Sequence, residues 1–156
     1  MTKILQRSEA QGIRDRDPAG TIVFTNGCFD ILHVGHVRSL QAAKSLGDRL
    51  VVGLNSDESV RALKGANRPF NPESDRAEVL AALESVDYIV IFPEPRATKL
   101  LQEIRPHIYA KGGDYTPESL EQEEVRALRA IGTRIEILPL VPGKSTTNLI
   151  HLIHET

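Results

Sequence analysis

The stretch Thr25-Asn26-Gly27-Cys28-Phe29-Asp30-Ile31-Leu32-His33-Val34-Gly35-His36 joins an apolar β run to a helix, and the reading of the fold turns on that junction. Before it, Thr21-Ile22-Val23-Phe24-Thr25 is β-branched and aromatic, as a parallel strand buried on both faces should be. After it, Val34, Val37, Leu40 and Ala43 recur at helical spacing. In an open α/β sheet such a turn lies at the carboxyl end of a strand and the N-terminus of a helix, where unpaired N–H groups and the helix dipole favour a bound anion. Gly27 and Gly35 let the backbone come close to that anion. His33 and His36, three residues apart at the helix entrance, share roughly one face and can both donate to phosphate oxygens. The alternative is that one caps the helix while the other packs on the sheet. A metal site fits the pair less well, because the zinc-protease motif spaces its histidines at i, i+4 beside a glutamate and no carboxylate lies between these two.

Outward from this turn the pattern repeats. Apolar runs at Arg49–Asn55, Tyr88–Phe92, 107–111 and Arg134–Leu138 alternate with helical stretches, which makes five strands and a doubly wound, Rossmann-like parallel sheet of the α/β class. Right-handed crossovers then bring the strand-end turns to one edge. Asn55-Ser56-Asp57 ends the second strand, with Ser56 or Asp57 suited to cap a short helix. Lys64-Gly65-Ala66-Asn67-Arg68-Pro69 is a cationic loop, and it leads to Asn71 as N-cap, Pro72 at N1 and a helix carrying Arg76. A cation so near a helix N-terminus opposes the dipole, so Arg76 needs a partner: Glu73 on the surface, or a ligand. Lys111-Gly112-Gly113-Asp114 closes the fourth strand, where paired glycines beside a cation suit a phosphate or a plain tight turn. Thr116-Pro117 is expected to start a helix with Val125, Leu128 and Ile131 on one face. Ser145-Thr146-Thr147 opens the last helix, whose apolar stripe is Leu149, Ile150 and Ile153, and its hydroxyls can cap or bind phosphate.

Two nucleotide motifs fail. Gly143-Lys144-Ser145 imitates the end of a P-loop, but the glycine required five residues earlier is Leu138. The first turn lacks the G-x-G-x-x-G of redox dinucleotide sites, having Asp30 where the last glycine belongs.

At 156 residues the chain has room for one well-filled core, with residues 1–20 read as an extension, a short helix at most and then a linker, and 21–156 as the domain. A formal charge of −2 argues against a nucleic-acid or membrane-surface binder. One cysteine, Cys28, suits a reducing compartment, no apolar run approaches the ~18 residues of a membrane span, and Met1 to Gly20 does not resemble a signal peptide, so a cytoplasmic protein is expected. Nothing here forbids a homodimer.

Gly27-Cys28-Phe29-Asp30-Ile31-Leu32-His33-Val34-Gly35-His36 resembles the G-x-F-D-x-x-H-x-G-H signature of the cytidylyltransferase-like nucleotidyltransferases, and Ser145-Thr146-Thr147 resembles their second, C-terminal signature. Within that superfamily, Asn55-Ser56-Asp57, Lys64-Gly65, Arg68-Pro69 and Lys111-Gly112-Gly113-Asp114-Tyr115 most resemble the adenylyltransferase domain of bacterial ADP-heptose synthesis. The resemblance implies strand order 3-2-1-4-5, with Gly27 and Gly112 flanking the crevice. It implies transfer of AMP from ATP to a sugar 1-phosphate, D-glycero-β-D-manno-heptose 1-phosphate; the family's heptose enzymes often carry this domain fused to a sugar kinase, for which these 156 residues have no room, so the 1-phosphate is expected from a separate protein. It also implies His33, His36, Lys64 and Arg76 as the catalytic groups; Thr25, Gly27, Cys28, Phe29, Gly35, Lys111, Gly112, Asp114, Ser145, Thr146 and Thr147 around the nucleotide; and Asp30 and Asp57 toward the acceptor. Mg²⁺ would bridge the phosphates, without a metal site of the protein's own. Where related cytidylyltransferases carry an arginine in R-T-E-G-I-S-T-T, this sequence has Leu140, and Lys144 is a further departure; the lost donor favours ATP over CTP. Glycerol-3-phosphate cytidylyl transfer, FAD synthesis and a non-catalytic nucleotide sensor are the competing readings.

Overall fold

The computed structural model describes residues 2–113, 116, 118–139 and 145–155. In chain order the elements are β1 (Ile4–Leu5), a 3-10 helix (Arg7–Gly12), α1 (Ile13–Arg16), β2 (Ile22–Gly27), α2 (Val34–Lys44), β3 (Arg49–Asn55), α3 (Asp57–Lys64), α4 (Glu73–Ala81), β4 (Tyr88–Phe92), α5 (Thr98–Ile104), β5 (Ile108–Gly112), α6 (Gln122–Ala130), β6 (Arg134–Leu138) and α7 (Thr146–Glu155). All strand pairings described are parallel, in the order β1-β4-β3-β2-β5-β6.

Side chains alternate across each strand, so a strand between two helical layers must be apolar at every position. Phe24, Val51, Val90 and Phe92 face one core, closed by Ala10, Ile13, Leu100, Ile104 and Leu128 from the 3-10 helix, α1, α5 and α6. Val23, Leu50, Val52, Leu54 and Ile89 face the other, closed by Leu40 and Ala43 of α2 and by Ala77 and Leu80 of α4. This explains the unbroken apolar runs of β2, β3 and β4. Strand β6 pairs only with β5 and keeps Arg134 exposed, as an edge strand does.

The expected sheet of five strands in the order 3-2-1-4-5 is corrected to six. The added member, β1, lies beside β4, with Ile4 opposite Ile89 and Leu5 opposite Val90. Residues 4–16, read above as a short helix at most, place Leu5, Ala10 and Ile13 in the core. Arg7 ties this segment down, pairing with Glu94 at 2.9 Å and Glu103 at 2.6 Å. Burial works against the Arg7 charge, but the hydrogen bonds to the two glutamates outweigh it and raise its pKa. A two-residue strand is too short to show an alternation, so periodicity could not reveal it.

Two helix starts also differ from expectation. Helix α6 begins at Gln122, not at Thr116; the Thr116 N–H donates to Ser119 Oγ at 2.8 Å and the Ser119 N–H to Thr116 Oγ1 at 3.2 Å. The N-cap of α4 is Pro72 and not Asn71, whose side chain is occupied elsewhere.

The topology positions the site. From β2 the chain runs outward to β3 and β4, then crosses back to β5 and β6, so the reversal lies between β2 and β5. There the ladder pairs only Val23 with Ile108 and Phe24 with Tyr109, although β2 continues to Gly27 and β5 to Gly112. Beyond that point the pairing gives way to a crevice, spanned at its base by the Tyr109 hydroxyl donating to Asn26 Oδ1 at 2.6 Å.

Candidate functional site

Along β2 the residues pass from buried Ile22, Val23 and Phe24 to half-buried Thr25, Asn26 and Gly27, and the turn that follows forms one wall of the crevice. Phe29 there adopts φ 48°, the left-handed region, which non-glycine residues enter at a cost of ~1–3 kcal/mol and keep only where their surroundings hold them. Its ring lies over Gly27: a Cβ at that glycine would stand 2.9 Å from Phe29 Cε2. Gly27 is therefore explained first by the packing of the turn upon itself.

His33 is the N-cap of α2. Its Nδ1 accepts from the Gly35 N–H at 3.0 Å, and His36 Nδ1 accepts in turn from the His33 N–H at 3.3 Å, a reciprocal capping arrangement built from two imidazoles. An imidazole nitrogen that accepts an N–H carries no proton, so each neutral ring must hold its proton on Nε2. The rings lie 4.0 Å apart between centroids, inclined by 34°, with the Phe29 ring 5.3 Å from that of His36. Burial, then the neighbouring His33 and the charge of Lys64, lower the His36 pKa to about 4. At neutral pH His36 is thus an uncharged donor with a fixed tautomer. The structure shows the capping, which uses Nδ1 of each ring.

Lys64, the last residue of α3, is exposed, and its charge acts on His36 and on Cys28, which brings it to the histidine side of the crevice. Burial raises the pKa of the half-buried Cys28 thiol, and Lys64, Arg76 and Arg68 pull the other way.

Two of the expected ligand-facing residues are instead internal. Asp30, 4% exposed, accepts from the N–H groups of Phe70 (2.9 Å) and Asn71 (2.9 Å) and from Arg68 Nε (2.8 Å), while Asn71 Nδ2 donates to the Asp30 carbonyl at 2.6 Å. Burial would raise the Asp30 pKa, but these bonds and the Arg68 charge lower it. The expectation that Asp30 faces acceptor hydroxyls is corrected: its carboxylate is consumed in clasping the 68–71 loop. Arg76, 2% exposed, donates to the carbonyls of Asn71 (2.9 Å), Cys28 (2.7 Å) and Asn55 (2.9 Å) and to Asp57 Oδ1 (2.8 Å). Its ionic partner is Asp57, not Glu73; Glu73 accepts from the Asp57 N–H at 3.0 Å. The guanidinium that the resemblance sets among the ligand-holding cations is thus bonded here to the protein's own carbonyls and carboxylate. Asp57 is half-buried against it, and Ser56 caps α3 by accepting from the Ser59 N–H at 3.2 Å.

The opposite wall comes from β5 and α7. Lys111 lies with its Nζ 5.9 Å from the Tyr109 ring centre, Gly112 is exposed and Gly113 has φ 128°. Thr146 Oγ1 donates to the Ile31 carbonyl at 3.2 Å, bringing the start of α7 against the first turn, and Ser145 Oγ accepts from the Asn148 N–H at 3.0 Å. Thr147 is exposed. Asp114, Tyr115, Leu140 and Lys144 lie outside the described residues.

Sequence reasoning placed Arg68 in the cationic loop and Asn71 at a helix start but passed over Phe70 and the contact of all three with Asp30. Nothing local marks that contact, because it is made from about forty residues away. A cavity of about 640 Å³ opens between the 29–32 turn and α4, with Asp30, Asn71 and Arg76 in its lining beside Phe29, Leu32 and Val79, and without the histidines, Lys64 or Lys111. Among the described residues no three His, Cys, Asp or Glu side chains group to hold a metal, and the Asp30 and Asp57 carboxylates are paired with Arg68 and Arg76. No helix of the described residues is long and apolar enough to cross a membrane.

A family model described as Cytidylyltransferase-like matches residues 24–151. The Bifunctional protein HldE of Pelobacter propionicus is 51% identical over 152 residues, which cover 97% of this chain and 29% of that protein. The Bifunctional protein HldE of Geotalea uraniireducens is 55% identical over 132 residues, covering 85% and 26%. The chain thus spans less than a third of the length of these curated relatives. Among solved structures, the lipopolysaccharide core biosynthesis protein from Thermoplasma volcanium GSS1 superposes with a TM-score of 0.64 at 28% identity, over 79% of this chain and 98% of that one.

Proposed function

The chain belongs to the cytidylyltransferase-like family, and from that membership we propose that it is an adenylyltransferase: a phosphate oxygen of a sugar 1-phosphate attacks the α-phosphorus of ATP in line, a P–O bond forms, the bond to pyrophosphate breaks, and an ADP-sugar is released. The sugar is D-glycero-β-D-manno-heptose 1-phosphate and the compartment the cytoplasm. The attacking phosphate has a second pKa of about 6 and is ionised at neutral pH, so no general base is needed. The task left to the protein is to align two anions and to offset charge on the α-phosphate and the leaving group.

The observation that carries this reading is the histidine pair. Both rings accept a backbone N–H at Nδ1, which fixes the uncharged His36 with its proton on Nε2 as a donor for a phosphate oxygen. Lys64 on one wall and Lys111 with the start of α7 on the other supply positive potential. Mg²⁺ enters on the nucleotide phosphates, as part of the substrate.

Pyrophosphate release, measured for ATP, CTP, GTP and UTP against heptose 1-phosphate, glycerol 3-phosphate and FMN, tests the proposal. The expected best pair is ATP with heptose 1-phosphate. CTP with glycerol 3-phosphate as the best pair would overturn the assignment, and turnover with none would favour a nucleotide sensor.

A further inference from the structure

Arg76 heads the fully buried side chains in size, and a buried charge is tolerated only where its hydrogen bonds are met. Its partners come from four places: the turn after β2 (Cys28 O), the end of β3 (Asn55 O), the first residue of α3 (Asp57) and the entry to α4 (Asn71 O). Parallel strands end in carbonyls with no neighbour to pair, and at the carboxyl edge those partial negative charges stand where an anion is to bind. Arg76 Nη1 takes up two of them, Cys28 O and Asn55 O, from behind the crevice. The same guanidinium grips the start of α3, whose far end is Lys64, and so ties the helix bearing that cation to the turn bearing the histidines. The planar fork of arginine can hold this many separately placed acceptors, whereas a lysine ammonium, with three donors on one atom, cannot.

We propose that Arg76 is a positioning residue that touches neither substrate: it holds the histidine turn and α3 at a fixed spacing and withdraws strand-end carbonyls from the anion site. This rests on the nucleotidyl-transfer reading for its effect on rate, but not for its effect on the turn. Arg76→Lys keeps the charge and breaks the fork, so it is the test variant, with Asp57→Asn as the milder one should the first not fold. Cys28 is the chain's single cysteine and lies in the turn whose carbonyl Arg76 holds, so its alkylation by iodoacetamide reports on the turn without any substrate. The expected result for folded Arg76→Lys is alkylation faster by about tenfold, a kcat lower by about tenfold and KM values for ATP and acceptor within about threefold of the parent, the pattern of a lost alignment and not of a lost ground-state contact. Asp57→Asn should show the same directions at about threefold. Unchanged alkylation in a folded variant overturns the tie whatever the activity. A KM for either substrate raised tenfold with kcat kept overturns it too, since Arg76 would then be a ligand contact. If the parent itself releases no pyrophosphate on any pair, it is the functional reading that fails, and the alkylation rates still decide the tie.

Discussion

On the β2–β3 side of the crevice, Asp30 and Arg76 are buried and satisfied by backbone groups from distant segments, and both histidines are locked by their own helix. On the β5–α7 side the described contacts are Lys111 beside the Tyr109 ring, Thr146 against the Ile31 carbonyl and the Ser145 cap, on residues that are half-buried or exposed. The first wall is rigid before any ligand arrives. Donors that must meet charge developing in a transition state gain from such preorganisation, because no reorganisation is left for the moment of reaction. The second wall carries the Lys111 charge and the Ser145 and Thr146 hydroxyls, which the proposed reading sets around the nucleotide. Changes on the first wall should therefore cost rate or stability, and changes on the second should cost affinity.

The largest effect expected is on rate. His36→Ala should lower kcat by on the order of 10²–10³, the loss seen for one preorganised transition-state donor, with the fold kept. His33→Asn sharpens the point, since asparagine is a good N-cap and retains the helix start while removing the Nε2–H donor. Near-normal turnover in a folded double variant would reduce the pair to a structural cap.

Next in size is the clasp. Asp30→Ala leaves the N–H groups of Phe70 and Asn71 and the Arg68 guanidinium without their acceptor. Stability measured by urea unfolding should fall by about 2–3 kcal/mol, the cost of stranding buried donors. A loss below about 0.5 kcal/mol, the usual range for surface changes, would mean that the first wall is no more tightly built than the second.

Lys111→Ala is the counterpart on the open wall. The expected outcome is a KM for the nucleotide raised by about tenfold, with kcat nearly kept and stability within about 0.5 kcal/mol. A fall in kcat comparable with that of His36→Ala would erase the contrast.

The smallest effect expected is on the pH dependence of stability. The folded His36 pKa of about 4 lies below that of an unfolded histidine, about 6.5, so between these values the unfolded chain binds more protons and stability must fall as pH falls. The loss should begin below about pH 6.5 and level off near the folded value. Because the ring is partly solvated, roughly 1 kcal/mol between pH 7 and pH 5 is expected from this residue. The test compares urea midpoints of the parent and of His36→Asn at the two pH values; an equal slope in both would show that His36 is not the group responsible.

How much of this was legible in the sequence depends on the distance over which each feature is encoded. The strand-to-helix turn at Gly27, the apolar runs of β2 to β6, the histidine pair and the cations Lys64 and Lys111 could all be read directly, because periodicity, turn chemistry and helix-end preference are interactions among near neighbours. The two-residue β1 could not be read, since an alternation needs more residues than it has, and it exists through Arg7 and the open edge of β4. The destinations of Arg76 and Asp30 were equally hidden. Each is a charged residue that a local reading sends outward to a ligand, and each was turned inward by partners far along the chain: Cys28 is 48 residues from Arg76, and Arg68 is 38 from Asp30. The sequence by itself determined the elements long enough to show a period, β2 to β6 and the helix after the first turn. Only the tertiary structure decided that β1 joins the sheet and that Asp30 and Arg76 turn inward, because burying a charge depends on partners that folding alone brings together.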